Sequence, residues 1–184
     1  MRILTVCSHN RTRSVMMAAL FESMLTERLG PGRVTVRSSG FGPVGIPAID
    51  DAVAAMQRRG LDVSAHRSRA TTVALVDGAD VIVTAERDHV VKIAALSPPA
   101  FARAMTLPEL LTRAAAAPVA LDGDGFRSRV EALTAERTAG AYLREPIVDV
   151  ADPTGSSPRA FEAAVVEIER QCAEASAWLA SASG

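Results

Sequence analysis

Apolar residues follow two rhythms along the first hundred positions, and the switches between them outline the elements. Arg2 to Val6 is a near-continuous apolar run, the pattern of a parallel strand covered on both faces. From Arg13 the spacing becomes helical, with Met17, Leu20, Phe21 and Met24 on one side and Gly30-Pro31 as the stop. That methionine-bearing stripe reads as core packing. A second strand is predicted over Arg33 to Ser38. A helix is predicted over Pro47 to Arg59, with Ile49, Ala52, Val53 and Met56 on one face and Gly60 closing it. Ala79 to Thr84 reads as a third strand, and Arg87 to Leu96 as the helix that follows.

Pro98-Pro99 interrupts the pattern before a short fourth strand near Phe101 to Met105. Thr106-Leu107-Pro108-Glu109 then has the form of a capping box, with Thr106 as N-cap and Glu109 reaching back, and predicts a helix to about Ala116. Between Pro118 and Glu145 the pattern weakens. Gly123 and Gly125 mark a loop, Phe126 to Arg137 predicts a helix, and Thr138-Ala139-Gly140 ends it. A last helix, from near Ser157-Pro158, repeats apolar groups at Phe161, Val165, Ile168, Cys172, Ala175 and Leu179. Cys172 on that inward stripe reads as a small core residue. The alternation predicts an α/β fold. We expect a single doubly wound domain over residues 1–184, with a central four-stranded parallel sheet flanked by helices and 118–145 as a variable insert.

Composition narrows the setting. At 184 residues and 48% hydrophobic content the chain can bury a core without staples. Two cysteines build no disulfide framework, so a reducing, cytoplasmic location is expected. Met1 to Cys7 is too short for the apolar stretch of a signal peptide. Nothing approaches the roughly 18 apolar residues of a membrane span, so no membrane partner is expected. A net charge of −1 provides no basic field for nucleic acid. Positive charge is local instead, at Arg11 and Arg13, then Arg67, Arg69 and Arg87. A mouth lined by these would steer a small anion, although a solvated surface role is the plainer reading for each of the last three.

Chemistry enters at the first strand-to-helix turn, Cys7-Ser8-His9-Asn10-Arg11-Thr12-Arg13-Ser14. A loop of this length turns backbone N–H groups inward at a helix N-terminus, where orphan donors and the helix dipole favour an anion. The same field stabilises a thiolate, so Cys7 is the candidate nucleophile. Arg13 is placed to lay its planar fork over the equatorial oxygens of a bound phosphate. Ser14 can donate its hydroxyl to the sulfur. Asn10 tolerates the left-handed backbone such a loop requires. Ser8, His9, Asn10, Arg11, Thr12 and Ser14 are the candidate phosphate-binding residues. Against this, a lone cysteine at a strand end is usually core, and the Cys7–Arg13 spacing taken alone is a weak signal.

The residues Cys7 to Ser14 resemble the signature of the low-molecular-weight protein tyrosine phosphatase family, a cysteine, five residues and Arg-Ser at the first strand-to-helix turn. The likeness extends over most of the chain. Ser38-Ser39-Gly40 is similar to the family's segment after its second strand, and Gly60 to Arg69 to its Gly-x-x-x-S-x-H-x-x-R stretch. Asp80 to Thr84 resembles its third strand, with Asp88-His89 following, and Asp152-Pro153-Thr154-Gly155 its late Asp-Pro loop. The resemblance implies a cysteine-dependent phosphomonoesterase acting on a phosphorylated protein or a small aryl phosphate, with no cofactor. Three positions depart from it: His9 replaces a usual glycine, Thr12 a second cysteine and Val15 a proline. Thr12 leaves the nucleophile without a neighbouring thiol to trap its oxidised form. Phe41 is the best candidate for an aromatic wall at the substrate, with Tyr142 second.

Turnover also needs a proton for the leaving oxygen, and Asp152 is the candidate. Asp-Pro-x-Gly is equally a plain turn signal, and Asp149 is the nearest rival acid, or else a cap or a surface charge. No metal site is expected, since His9, His66 and His89 lack the spacing of a ligand pair. Two alternatives stand beside the phosphatase: a non-catalytic phosphoanion-binding module, and an arsenate reductase, for which the chain lacks a relay of further cysteines.

Overall fold

A computed structural model describes residues 1–117 and 125–183. The elements run in the order β1 (Arg2–Cys7), α1 (Arg13–Leu29), β2 (Thr35–Gly40), α2 (Asp50–Gln57), α3 (Val73–Gly78), β3 (Val81–Thr84), α4 (Arg87–Leu96), β4 (Ala104–Thr106), α5 (Leu107–Ala116), α6 (Phe126–Ala132), α7 (Ala139–Tyr142) and α8 (Pro158–Ser181). The strands form one sheet of order β2-β1-β3-β4, and every pairing is parallel. This is the α/β sheet that the alternation predicts.

The sheet is covered on both faces, and the two-residue period of its strands sorts the core. Ile3, Val81 and Val83 pack with Met17, Phe21, Phe161, Ile168 and Leu179 of α1 and α8. Leu4, Val6 and Ile82 turn the other way, against Val76, Val90 and Ile93 of α3 and α4. All six apolar positions foreseen on α8 are buried, Cys172 among them, and burial pushes its thiol pKa up. On α1, Leu25 rather than Met24 completes the buried stripe, and Met24 packs at its margin.

Differences from the sequence reading have local causes. The second strand is shifted to Thr35–Gly40, because Ser38, Ser39 and Gly40 pair with Thr5, Val6 and Cys7 and are buried there despite their polarity. The helix predicted over Pro47 to Arg59 is trimmed to α2, leaving Pro47 to bridge Arg67. A 3-10 turn over Pro98–Arg103 occupies the start of the expected fourth strand. Thr138 does not end a helix but caps α7, accepting the N–H of Ala141. The short helix α3 was not foreseen. The expected loop at Gly123 lies outside the described residues, while Gly125 precedes α6 with φ +106°.

The region after α5 is joined to the sheet edge through buried charge. Arg137 and Glu109, with side chains 0% and 2% exposed, pair at 2.9 Å. Arg113 reaches the same carboxylate at 2.7 Å, and the Tyr142 hydroxyl donates to it at 3.3 Å. Thr106 and Glu109 form the predicted capping box at the start of α5.

Candidate active site

β1 ends at Cys7, whose partner on β2 is Gly40. The chain then reverses over Ser8 to Thr12 and enters α1 at Arg13. Asn10 makes the reversal, with φ +53°, the sole positive value among described non-glycine residues. Both ends of its buried side-chain amide and its carbonyl oxygen are bonded. Nδ2 donates to Ser14 Oγ at 3.0 Å, Oδ1 accepts the Arg69 N–H at 2.9 Å, and the carbonyl accepts from His66 Nε2 at 2.8 Å. Gly40 backs directly on this loop: a Cβ there would stand 2.7 Å from Asn10 N and 2.8 Å from the Cys7 carbonyl oxygen. That crowding is the physical content of the Ser-Ser-Gly resemblance.

Cys7 Sγ lies 3.0 Å from Ser14 Oγ. Because that hydroxyl already accepts from Asn10 Nδ2, its own hydrogen is free to point at the sulfur and stabilise a thiolate. Cys7 is 3% exposed, yet it opens onto a cleft of about 180 Å³ shared with Ser8, His9, Arg11, Thr12, Arg13, Asp152 and Thr154. Asn10 and Ser14 stand behind the wall of this cleft.

Arg13 is buried and held from three sides. Nη1 donates to the Val150 carbonyl at 3.0 Å, and Nη2 meets Glu86 Oε1 at 2.6 Å and Asp152 Oδ2 at 2.9 Å. Asp152 Oδ1 accepts the Thr154 N–H at 3.0 Å, and the Thr154 hydroxyl meets that of Thr12 at 3.1 Å. Asp152-Pro153-Thr154-Gly155 is therefore a turn, and Asp152 and Thr154 of it line the cleft. Asp149, the rival, instead accepts the Arg87 N–H at 2.8 Å and caps α4.

Two residues at the start of α4 adjoin the cleft residues and are given no site role by the sequence, although His89 is part of the family resemblance. Glu86 holds Arg13. His89, 1% exposed, accepts the Glu86 N–H on Nδ1 at 3.1 Å, so its hydrogen is on Nε2, which faces Ser8 Oγ at 3.1 Å. Burial lowers the His89 pKa; the Glu86 carboxylate opposes that shift and Arg13 adds to it. Burial likewise lowers that of His66. The available signal was their place just beyond the carboxyl end of β3, where ligands of parallel sheets collect.

Of the residues considered for the mouth, most stand elsewhere, as the plainer surface reading of Arg67, Arg69 and Arg87 has it. Arg87 is a strap whose guanidinium donates to the Glu145 and Leu143 carbonyls. Arg67 donates to the Ser64 and His66 carbonyls, and only the Arg69 backbone joins the loop network. Of the five arginines considered, Arg11 and Arg13 alone line the cleft. Tyr142 is buried against Glu109 and is no wall. Phe41 is half-buried and stacks on His89 with ring centroids 5.8 Å apart.

A family model for the low molecular weight phosphotyrosine protein phosphatases matches residues 2–139. The chain belongs to this family. A curated relative, a probable low molecular weight protein-tyrosine-phosphatase EpsP of Ralstonia solanacearum, is 43% identical over 82 residues, 44% of this chain and 52% of its own length. The match thus spans about half of that relative. The YwlE arginine phosphatase from Geobacillus stearothermophilus is 26% identical, with a TM-score of 0.69 over 96% of this chain and 90% of its own. A YwlE arginine phosphatase mutant with a phosphorylated active-site serine is 25% identical, with a TM-score of 0.71 over 96% of this chain and 94% of its own. Asp152 lies beyond the segment that the family model matches, so its place beside Cys7 and Arg13 rests on geometry.

Proposed function

We propose that this protein hydrolyses aryl phosphate monoesters, phosphotyrosine foremost, through a cysteinyl-phosphate. The observation that carries the reading is one cleft holding Cys7, the Arg13 guanidinium and Asp152, with Ser14 3.0 Å from the sulfur. Phosphate and Asp152 compete for the same Arg13 nitrogen, so substrate binding releases the carboxyl group from its ion pair. Cys7 attacks phosphorus in line and the bond to the leaving oxygen breaks. Arg13 and the loop N–H groups hold the equatorial oxygens, and Asp152 delivers a proton to the departing oxygen. Asp152 as carboxylate then takes a proton from the water that hydrolyses the thiophosphate, restoring the thiolate and releasing phosphate.

A second substrate class is favoured by the neighbours described as arginine phosphatases. The guanidinium of phosphoarginine would meet Arg11 in the cleft, a like-charge contact that supports the aryl reading. The same reading takes residues 1–184 as one domain with an insert at 118–145, working in a reducing, cytoplasmic setting that suits an unpaired catalytic thiol. Among the described residues no helix is long and apolar enough to cross a membrane.

The test is phosphate release from p-nitrophenyl phosphate and a phosphotyrosyl peptide in chelator, by the wild type and two variants. Cys7→Ser is expected to abolish turnover. Asp152→Ala is expected to lower kcat about 10²- to 10⁴-fold, the usual worth of a general acid. A wild type that binds vanadate but releases no phosphate would instead identify a binding module.

A further inference from the structure

The cleft contains two arginines in opposite states. Arg13 has both Nη atoms committed to Val150, Glu86 and Asp152. Arg11 uses only Nε, which donates to the Pro47 carbonyl at 2.9 Å. That bond and the half-buried stem fix the plane of the guanidinium. Among the described residues its Nη1 and Nη2 have no hydrogen-bond acceptor, and no carboxylate approaches it within the 4.0 Å of an ion pair. The acidic pair Asp50 and Asp51, in the first turn of α2, forms no such contact either.

The surroundings divide by charge. Pro47, which anchors Arg11, bridges Arg67, and neither Arg67 nor Arg69 is in an ion pair among the described residues. The acids of the cleft are taken up elsewhere: Asp152, which lines it, and Glu86 are both paired with Arg13. An arginine fork held in plane, open at both Nη atoms and lining the cleft is built to take a planar or tetrahedral anion bidentately. The phosphate under attack is already served by Arg13 and the loop.

From this we propose that Arg11 is a specificity-determining residue that binds a second anionic group of the substrate, beside the phosphate being removed. The inference rests on the phosphatase reading of the cleft and deepens it. The substrate it assigns is a phosphotyrosyl peptide with an acidic residue flanking the phosphotyrosine. The flanking carboxylate accepts from Nη1 and Nη2 of Arg11, whose Nε is anchored on Pro47, while Asp152 stays with Arg13 until phosphate displaces it.

The experiment compares three phosphotyrosyl peptides that differ only in having Glu, Gln or Lys on both sides of the phosphotyrosine. It reads kcat/KM ratios within each enzyme, so that a general loss of activity cancels. In the wild type the Glu peptide is expected to exceed the Lys peptide about tenfold at low salt, the size of one charge-assisted contact, and the gap narrows with added salt. Arg11→Gln is expected to bring the ratio near one, and Arg11→Glu to invert it. Binding of the same peptides to Cys7→Ser, followed by fluorescence anisotropy, gives the parallel ratio without chemistry. Equal ratios in the wild type, or the same preference in Arg11→Glu, would overturn the role of Arg11 while leaving the phosphatase intact. A wild type that binds with the Glu preference but releases no phosphate would keep Arg11 and remove the catalysis.

Discussion

At the residue scale the site depends on how little room surrounds the loop. Asn10 turns the chain at φ +53° while fixing Ser14 with its amide, and Gly40 leaves the space into which Asn10 and the Cys7 carbonyl fit. Gly40→Ala would place a methyl group 2.7 Å from a backbone nitrogen, and no flexible side chain is there to yield. The loop must move instead, taking Cys7 out of line with Ser14 and Arg13. We expect a cost of about 1–3 kcal/mol in stability, as for other overpacked sites. Turnover is expected to fall about 10²-fold, because a misplacement near 1 Å is enough for that. Urea unfolding and p-nitrophenyl phosphate kinetics check the two effects separately. Normal activity in this variant would mean that the loop is not braced against β2.

Among elements, α4 has the strongest bearing on the site although it contributes no residue to the nucleophile loop. Its N-cap Glu86 holds Arg13, His89 of its first turn holds Ser8, and its own first N–H is capped by Asp149, 62 positions further along. The bond pattern requires His89 neutral, because Nδ1 accepts the Glu86 N–H. His89 and His66 both have pKa values lowered below the ordinary 6.5, chiefly by burial. Around and below 6.5, down to those lowered native values, the unfolded chain therefore binds more protons than the native one, and stability rises with pH across that window. Acidification from pH 7.5 to 5.5 should lower Tm, and His89→Gln should flatten that dependence. The same Tm slope in the variant and the wild type would remove His89 as its source.

For the whole molecule, the parallel sheet brings remote segments to one edge. Arg13 and Val150, 137 positions apart, are joined by a hydrogen bond at the carboxyl ends of the strands. The return path of the chain is held by buried Glu109, Arg137 and Tyr142 together with the partly exposed Arg113. Arg137→Ala would leave Arg113 as the one cation on buried Glu109, beside the hydrogen bonds from Tyr142 and Thr106, and breaking a buried pair from one side costs about 3–5 kcal/mol. We expect a loss at the lower end of that range in urea unfolding, because Arg113 remains at 2.7 Å. Replacing both Arg137 and Glu109 by apolar residues should cost less than Arg137→Ala alone.

The unit from Arg2 to Leu29 was legible in the sequence because it is contiguous: strand, anion loop and helix each carry their own periodicity or turn chemistry. The capping box at Thr106 and the stripe on α8 were legible for the same reason. The shift of β2 was not, since Ser38, Ser39 and Gly40 look like loop until β1 lies beside them. The site roles of Glu86 and His89 were not legible because nothing local distinguishes a carboxylate and an imidazole at a helix start. Only the register of β3 against β1, Thr84 beside Val6, carries them to Arg13 and Ser8. By itself the sequence determined where a nucleophile and a cation stand along the chain. Which acids, histidines and arginines surround them was decided by the packing of the sheet, because those contacts join segments whose separation along the chain leaves no periodic trace.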